Sequence, residues 1–164
     1  MLFVGRGRRR RVELMTVHIT RATEADGPSI VQLLRNSGLP TDGLIDHLKT
    51  ALVARADADV VGCAAIELYA DGALLRSVAV APAARGRGVG GQLTEAAIAL
   101  ARSFGVPNEY LLTTTAESYF PKFGFVSTTR DRVPTGVQQS VEFRSACPAS
   151  AIVMWKALNE SEER

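Results

Sequence analysis

Residues 85–90 read Arg-Gly-Arg-Gly-Val-Gly and stand between an apolar run ending at Val80 and an amphipathic stretch opening at Gln92. A strand, a glycine turn and a helix start in that order leave few architectures open, because the chain must turn where no side chain crowds it. Backbone amides in such a turn can close on an anion, and the unpaired N–H groups and positive dipole end of the following helix add to the attraction. The pattern predicts a pyrophosphate cradle.

What the loop lacks narrows the ligand. A nucleoside-triphosphate loop ends in Gly-Lys followed by Ser or Thr, whereas Gly90 is followed by Gly91 and Gln92. Gly86, Gly88 and Gly91 formally satisfy the dinucleotide pattern G-x-G-x-x-G, but Ala81 to Arg85 separate the first glycine from its strand. The acidic residue that pattern needs at the end of the next strand is also misplaced, since Glu109 begins that strand.

The chain has 164 residues, the length of one domain, and 46% of them are hydrophobic. No apolar run approaches the roughly 20 residues of a membrane span, so a soluble protein is expected. Residues 1–14 hold five arginines and one glutamate, a net charge of +4 within a formal total of +2, which leaves the other 150 residues at −2. Only this arm is basic, so a nucleic-acid-binding domain is not indicated. The arm reads as a nonessential, disordered extension to a domain at 15–164, with Met15 as an alternative start. Its apolar-then-arginine order reverses that of a secretion signal, which implies the cytoplasm. Cys63 and Cys147 are too few for a disulfide framework, Cys63 reads as core filling, and neither cysteine nor His18 or His47 has metal-ligand spacing.

Alternation predicts a strand at 17–21, and Pro28 with Ile30, Val31, Leu33 and Leu34 predicts the helix after it, with a second short helix through Leu44 and Leu48. Extended segments at 52–55, 60–69 and 74–80, joined by short connections, make a meander. A helix carrying Leu93, Ala97 and Ala101 follows the glycine loop and ends at Gly105. A strand at 110–114, a helix at about 116–122, an extended piece at 125–128, an irregular polar stretch at 129–148 and a strand at 152–155 complete the order. The class is α/β, one domain with a mixed, mostly antiparallel central sheet flanked by helices.

The segment LLRSVAVAPAARGRGVGGQLTEAAIAL, residues 74–100, resembles motif A of the GNAT superfamily of acyl-CoA-dependent N-acetyltransferases, Q/R-x-x-G-x-G/A, with Arg85, Gly88 and Gly90 in its defined places. The element order is also similar, from about residue 17 to 158. The resemblance implies acetyl-CoA as cosubstrate, lying where two strands splay. Val78 and Val80 would offer backbone groups to the pantetheine arm, and Arg85, Gly86, Arg87, Gly88, Val89 and Gly90 would hold the pyrophosphate. An N–H near Val78 would stabilise the oxyanion of the attacked thioester, an effect typically worth ~3 kcal/mol.

Tyr119 to Phe125 resembles the family's F-Y-x-K-x-G-F helix end, but in that register Phe120 stands where the general-acid tyrosine belongs. Tyr119 is one position earlier, a turn of about 100° away on a helix, and is left between a catalytic role and a half-buried aromatic. Glu67 is the candidate base, acting through water, with a solvent-facing strand carboxylate as the alternative. Arg76 either faces the cleft beside Val78 and Val80, where it would grip a substrate carboxylate, or pairs with Glu67 or Asp71. Arg130 is the second such cation.

Residues 111–151, with LLTTTAESYFPKFGF, Arg130, Ser140, Glu142 and ACPASA, resemble the arsenic-resistance-associated N-acetyltransferases, a branch similar to amino-acid acetyltransferases. That likeness implies a small amine acceptor, an amino acid or an arsenic-containing analogue. A noncatalytic acyl-CoA-binding regulatory module and a protein N-terminal or lysine acetyltransferase are the competing functions, and a homodimer is left open.

Overall fold

The computed structural model of the chain describes residues 16–159. The basic arm at 1–14 and the alternative start at Met15 lie outside the described residues. Seven strands form one sheet: β1 (Val17–Arg21), β2 (Ala51–Ala56), β3 (Asp59–Tyr69), β4 (Gly72–Val80), β5 (Asn108–Thr113), β6 (Val126–Thr128) and β7 (Ile152–Ala157). They lie in the order β1-β2-β3-β4-β5-β7-β6, antiparallel throughout except for the β4–β5 pair. The sheet is therefore mixed and mostly antiparallel, as the sequence implies.

Helices cover both faces. Helix α1 (Gly27–Asn36) begins with Pro28 in its first turn, where a missing N–H removes no helical bond. Its Ile30, Leu33 and Leu34 pack on Val53, Cys63, Ala65 and Ala79. On the opposite face α2 (Val89–Ser103) sets Val89, Leu93, Ala97 and Ala101 against Leu52, Ile66, Leu75, Leu111 and Met154. Leu74, Tyr110 and Val153, on the α1 face near the parallel pair, are covered by Val133 and Val137, the latter on α3 (Thr135–Gln138).

Two expectations need correction. No α-helix spans 116–122; only a 3₁₀ turn, Phe120–Phe123, forms there. Pro121 supplies no N–H and its ring disfavours a preceding helical turn, while Gly124, at φ 96, stops the segment at once. The stretch at 129–148, expected to be irregular, contains a 3₁₀ turn at Arg130–Arg132, α3 and a π turn at Glu142–Ala146. Glycine is required at position 136, since a Cβ there would stand 2.5 Å from an Asp71 oxygen, and the Gly136 N–H donates to that carboxylate at 2.8 Å.

Glu109, paired in register with Ala73 across the parallel rung, is fully buried and neither carboxylate oxygen has a hydrogen-bond partner among the described residues. Burial pushes its carboxyl up to about 8, against the pull of Lys156 and Arg102. A carboxyl raised on folding stabilises the fold below its unfolded pKa, and that contribution is lost as pH rises towards the folded value. Wild type should therefore lose melting temperature relative to Glu109→Gln between about pH 5 and pH 8.5. A constant difference in melting temperature across that window would show that Glu109 carries no such burden.

Candidate active site

The site begins with a break in β4. Arg76 pairs with Ala65 and Ala79 with Cys63, so Ser77 and Val78 face the single residue Ala64 and form a bulge. Ser77 takes φ 62, an uncommon conformation for a residue with a side chain, and its carbonyl accepts the Cys63 thiol at 3.2 Å. The extra residue inverts the alternation of side chains along the strand. Ala73 and Leu75 before the bulge and Val78 and Val80 after it all pack on the α2 face, whereas Arg76 points to the opposite one.

The bulge coincides with a parting of the sheet. Strands β4 and β5 pair only at Ala73–Glu109 and Leu74–Tyr110. Beyond those rungs lies a cavity of about 180 Å³, with Leu75 to Val78 on one wall and Leu111 to Thr113 on the other.

At the end of β4 a 3₁₀ turn, Pro82–Ala84, leads into the glycine loop. Gly86 and Gly88 take φ 81 and 78, so the left-handed backbone is what demands glycine; a Cβ at either position would meet nothing within 4 Å. Gly88 caps α2, and the first helical bond runs from the Gln92 N–H to the Gly88 carbonyl. Helix geometry therefore leaves the amides of Val89, Gly90 and Gly91 directed out of the helix start. Arg85 donates through Nε to the Val80 carbonyl at 2.9 Å and ties the loop to the strand end. Val78, Val80, Arg85, Gly86, Gly88, Val89 and Gly90 all line one cavity of about 450 Å³. Arg87, on the same loop, is exposed and is not among its lining residues.

Tyr119 joins the two cavities, lining both. A Cβ at Gly90 would lie 3.1 Å from its hydroxyl, so glycine at that position lets the tyrosine reach the helix start. The Lys122 ammonium sits 4.3 Å from the centre of its ring. Phe120 is buried instead, edge-on to Phe125 at 6.0 Å between ring centres, although it still borders the smaller cavity.

Beneath the parting lies a buried charge cluster. Arg76, with no exposed side-chain surface, donates to Glu67 at 2.7 Å and to the Ser77 hydroxyl at 2.9 Å, and its Nε is 3.4 Å from Glu142. Glu67 also accepts from the Tyr69 hydroxyl and lies 3.5 Å from His47 Nε2. The two sequence readings of Arg76 are thus separated by the bulge: it does not share a side with Val78 and Val80, and its partner is Glu67, not Asp71. Glu67 is not the solvent-facing carboxylate considered for it; it is 1% exposed because β3 is covered on both faces, and it lines none of these cavities. Burial pushes the Glu142 carboxyl up to about 7, an effect that nearby Arg76 opposes and Glu67 reinforces.

A third cavity, of about 490 Å³, opens on the far side of the parting. It is bounded by Gly38 to Pro40 and Asp42, by Leu112 to Thr115 at the end of β5, and by Ala146 to Pro148 and Ala151. Leu39, Leu112, Thr113 and Thr115 line this cavity and the smallest one alike, so the three form a succession running from the glycine loop through the parted strands. Arg130 donates to the Pro148 carbonyl at 3.1 Å, beside this third cavity rather than within its lining, and lies over the Phe143 ring.

Residues 47–127 match the family model described as an acetyltransferase (GNAT) domain. The chain is also 30% identical over 139 residues to an uncharacterised N-acetyltransferase of Chlorobaculum tepidum, an overlap covering 82% of this chain and 86% of that one. The chain belongs to the GNAT family of N-acetyltransferases. It is 32% identical to an amino-acid acetyltransferase of Ralstonia nicotianae over 71% of this chain, but spans only 28% of that relative. In fold, the GNAT chain is similar to N-acetylglutamate synthase of Neisseria gonorrhoeae complexed with coenzyme A and N-acetyl-glutamate, with TM-score 0.75, 24% identity, and coverage of 87% of this chain and 35% of that one. A Mycobacterium tuberculosis protein in complex with CoA gives TM-score 0.74 at 24% identity, over 86% of this chain and 99% of that one.

Ser77, the third cavity and the carboxylate of Glu142 were not identified from the sequence. A serine within an apolar strand carries no mark of a bulge, and Glu142 meets Arg76 only through the fold.

Removing Arg76 would strand two buried carboxylates, a change that typically costs about 3–5 kcal/mol. Arg76→Ala should show a loss of that size in urea unfolding. A folded variant with an unchanged midpoint and a raised Michaelis constant for acidic acceptors would instead make Arg76 a substrate clamp.

Proposed function

We propose that the chain transfers acetyl from acetyl-CoA to the amine of a small metabolite, an amino acid or an arsenic-containing analogue of one. The observation that carries this reading is the succession of three cavities, which would accommodate a donor at the glycine loop and an acceptor at Thr113–Thr115, with the parted strands between them.

The loop fits the donor's pyrophosphate. Two left-handed glycines with open space above them and a helix start let backbone amides approach phosphate oxygens, and Arg85 adds a cation. The parted edge of β4 suits the pantetheine arm. Because the bulge takes Val78 out of the ladder register, its N–H is a candidate donor to the developing oxyanion. The acceptor amine would approach from the third cavity and displace the thiol. A departing thiol with a pKa near ~8.5 can leave largely as thiolate, so the burial of Phe120 at the usual acid position does not forbid the reaction.

The amino-acid reading rests on Asp42, which lines the acceptor cavity and suits an ammonium group, and on Arg130 beside it as the remaining cation for a carboxylate. The arsenic-containing analogue rests on the likeness of residues 111–151. Lining from three separate segments, at 38–42, 112–115 and 146–151, and a volume of about 490 Å³ favour a small acceptor over a protein chain.

Thiol release measured over a panel of amino acids, simple alkyl amines and lysine peptides tests the reading. Turnover of amino acids should dominate; peptide turnover alone, or coenzyme A binding without any turnover, would overturn it. Gly88→Glu puts a carboxylate into the cradle and should weaken coenzyme A binding at least ~100-fold in calorimetry, the scale of a lost charge-assisted contact with added repulsion. Tyr119→Phe should lower the rate less than ~10-fold, whereas a drop near ~1,000-fold would make its hydroxyl the general acid.

A further inference from the structure

Acetyl transfer to an ammonium requires a proton acceptor at the acceptor cavity, and Glu67, spoken for by Arg76 and Tyr69, is poorly placed to serve. A different carboxylate, that of Glu142, neighbours a residue that lines that cavity. The backbone N–H of Cys147 bonds to the Glu142 carbonyl at 3.2 Å and closes a π turn. The Cys147 thiol is also near enough to the Glu142 carboxylate for each to bear on the other's proton. Cys147 is half-buried and lines the acceptor cavity together with Thr113–Thr115, while Glu142 is 4% exposed and outside that lining.

Charge in the cluster is unbalanced in a useful direction. One guanidinium serves two carboxylates, and Glu67 has the shorter contact, 2.7 Å against 3.4 Å. The Glu67–Arg76 pair is neutral, which leaves Glu142 as the surplus anion. Four groups act on it: Arg76 from β4 and the neighbouring Cys147 thiol favour its charge, and Glu67 from β3 and Asp42 from the loop before residue 44 oppose it.

We infer that Cys147 and Glu142 form the proton relay that deprotonates the acceptor amine. The inference rests on the acetyl-transfer reading above. The ammonium proton passes to Cys147 Sγ as the thiol proton passes to the Glu142 carboxylate, so the thiol is regenerated, the carboxylate becomes a carboxylic acid and the amine is free to attack. No oxidant, metal or further reactant is consumed. Desolvation pushes the Cys147 thiol up to about 12 and keeps it protonated between transfers, while a Glu142 carboxyl near 7 can receive a proton at neutral pH. In these terms Cys147 is the group that would touch the amine, and Glu142 acts through it.

The pH profile of kcat/KM with the best amine of the panel decides the matter. Wild type should lose activity as pH falls through about 7 and Glu142 protonates. Glu142→Gln should lose that limb and about 100-fold in kcat, within the usual range for general-base loss. Cys147→Ala should lose rate comparably, and Cys147→Ser should recover most of it because a hydroxyl can also pass a proton. Folded Glu142→Gln with wild-type kcat and an unshifted limb would overturn the relay alone; failure to turn over any amine, with coenzyme A bound, would overturn the reading beneath it. An activity-independent check is the infrared S–H stretch of Cys147, which should shift with pH near neutrality in wild type and not in Glu142→Gln. A band indifferent to pH in both proteins would also overturn the pairing.

Discussion

One inserted residue in β4 organises the centre of this molecule. By taking φ 62 at Ser77, the strand exchanges its two faces in mid-course, so that Arg76 and Val78, two positions apart, look in opposite directions. The apolar side chains after the bulge line the cavity at the glycine loop, and the arginine before it is driven into the sheet's other layer. A regular strand would put both on one side and would keep Val78 in the ladder. Backbone strain at one residue thus separates the charge cluster from the glycine-loop cavity while leaving them adjacent.

The cluster itself is a compromise between desolvation and attraction. An arginine with no exposed side-chain surface would be untenable without carboxylates, and two carboxylates would be untenable without it. Burial, only partly offset by a cation shared with Glu67, leaves the less tightly held anion, Glu142, with its carboxyl raised to about 7. The burial that the ion pair must offset therefore also creates a group able to exchange a proton near neutrality. That group begins a π turn, whose wider ring is closed by the Cys147 N–H on the Glu142 carbonyl.

What the sequence disclosed was local. Gly86 and Gly88 declare a left-handed loop by residue type alone, and the apolar periodicity of Leu93, Ala97 and Ala101 declares the helix that follows. Phe120 at an expected tyrosine position was visible too, and its burial against Phe125 agrees with that departure. What stayed hidden depended on partners far along the chain. The side on which Arg76 falls is decided by a bulge that Ser77 does not advertise, and the helix expected at 116–122 gives way because Pro121 falls inside it. Glu142 acquires its character only when the fold brings Arg76 and Glu67 to it.

The parallel contact between β4 and β5 consists of two rungs, whereas β5 and β7 share six register pairs. The sheet is therefore a pair of leaves, β1 to β4 on one side and β5, β7 and β6 on the other, bound along a short spine. Cooperative units in proteins separate where few hydrogen bonds cross. Amide protons along β3 and along β5–β7 should then exchange as two populations of different protection, and the line between those populations is the floor of the cleft. The seam at which the sheet is weakest is the place where the two substrates would meet.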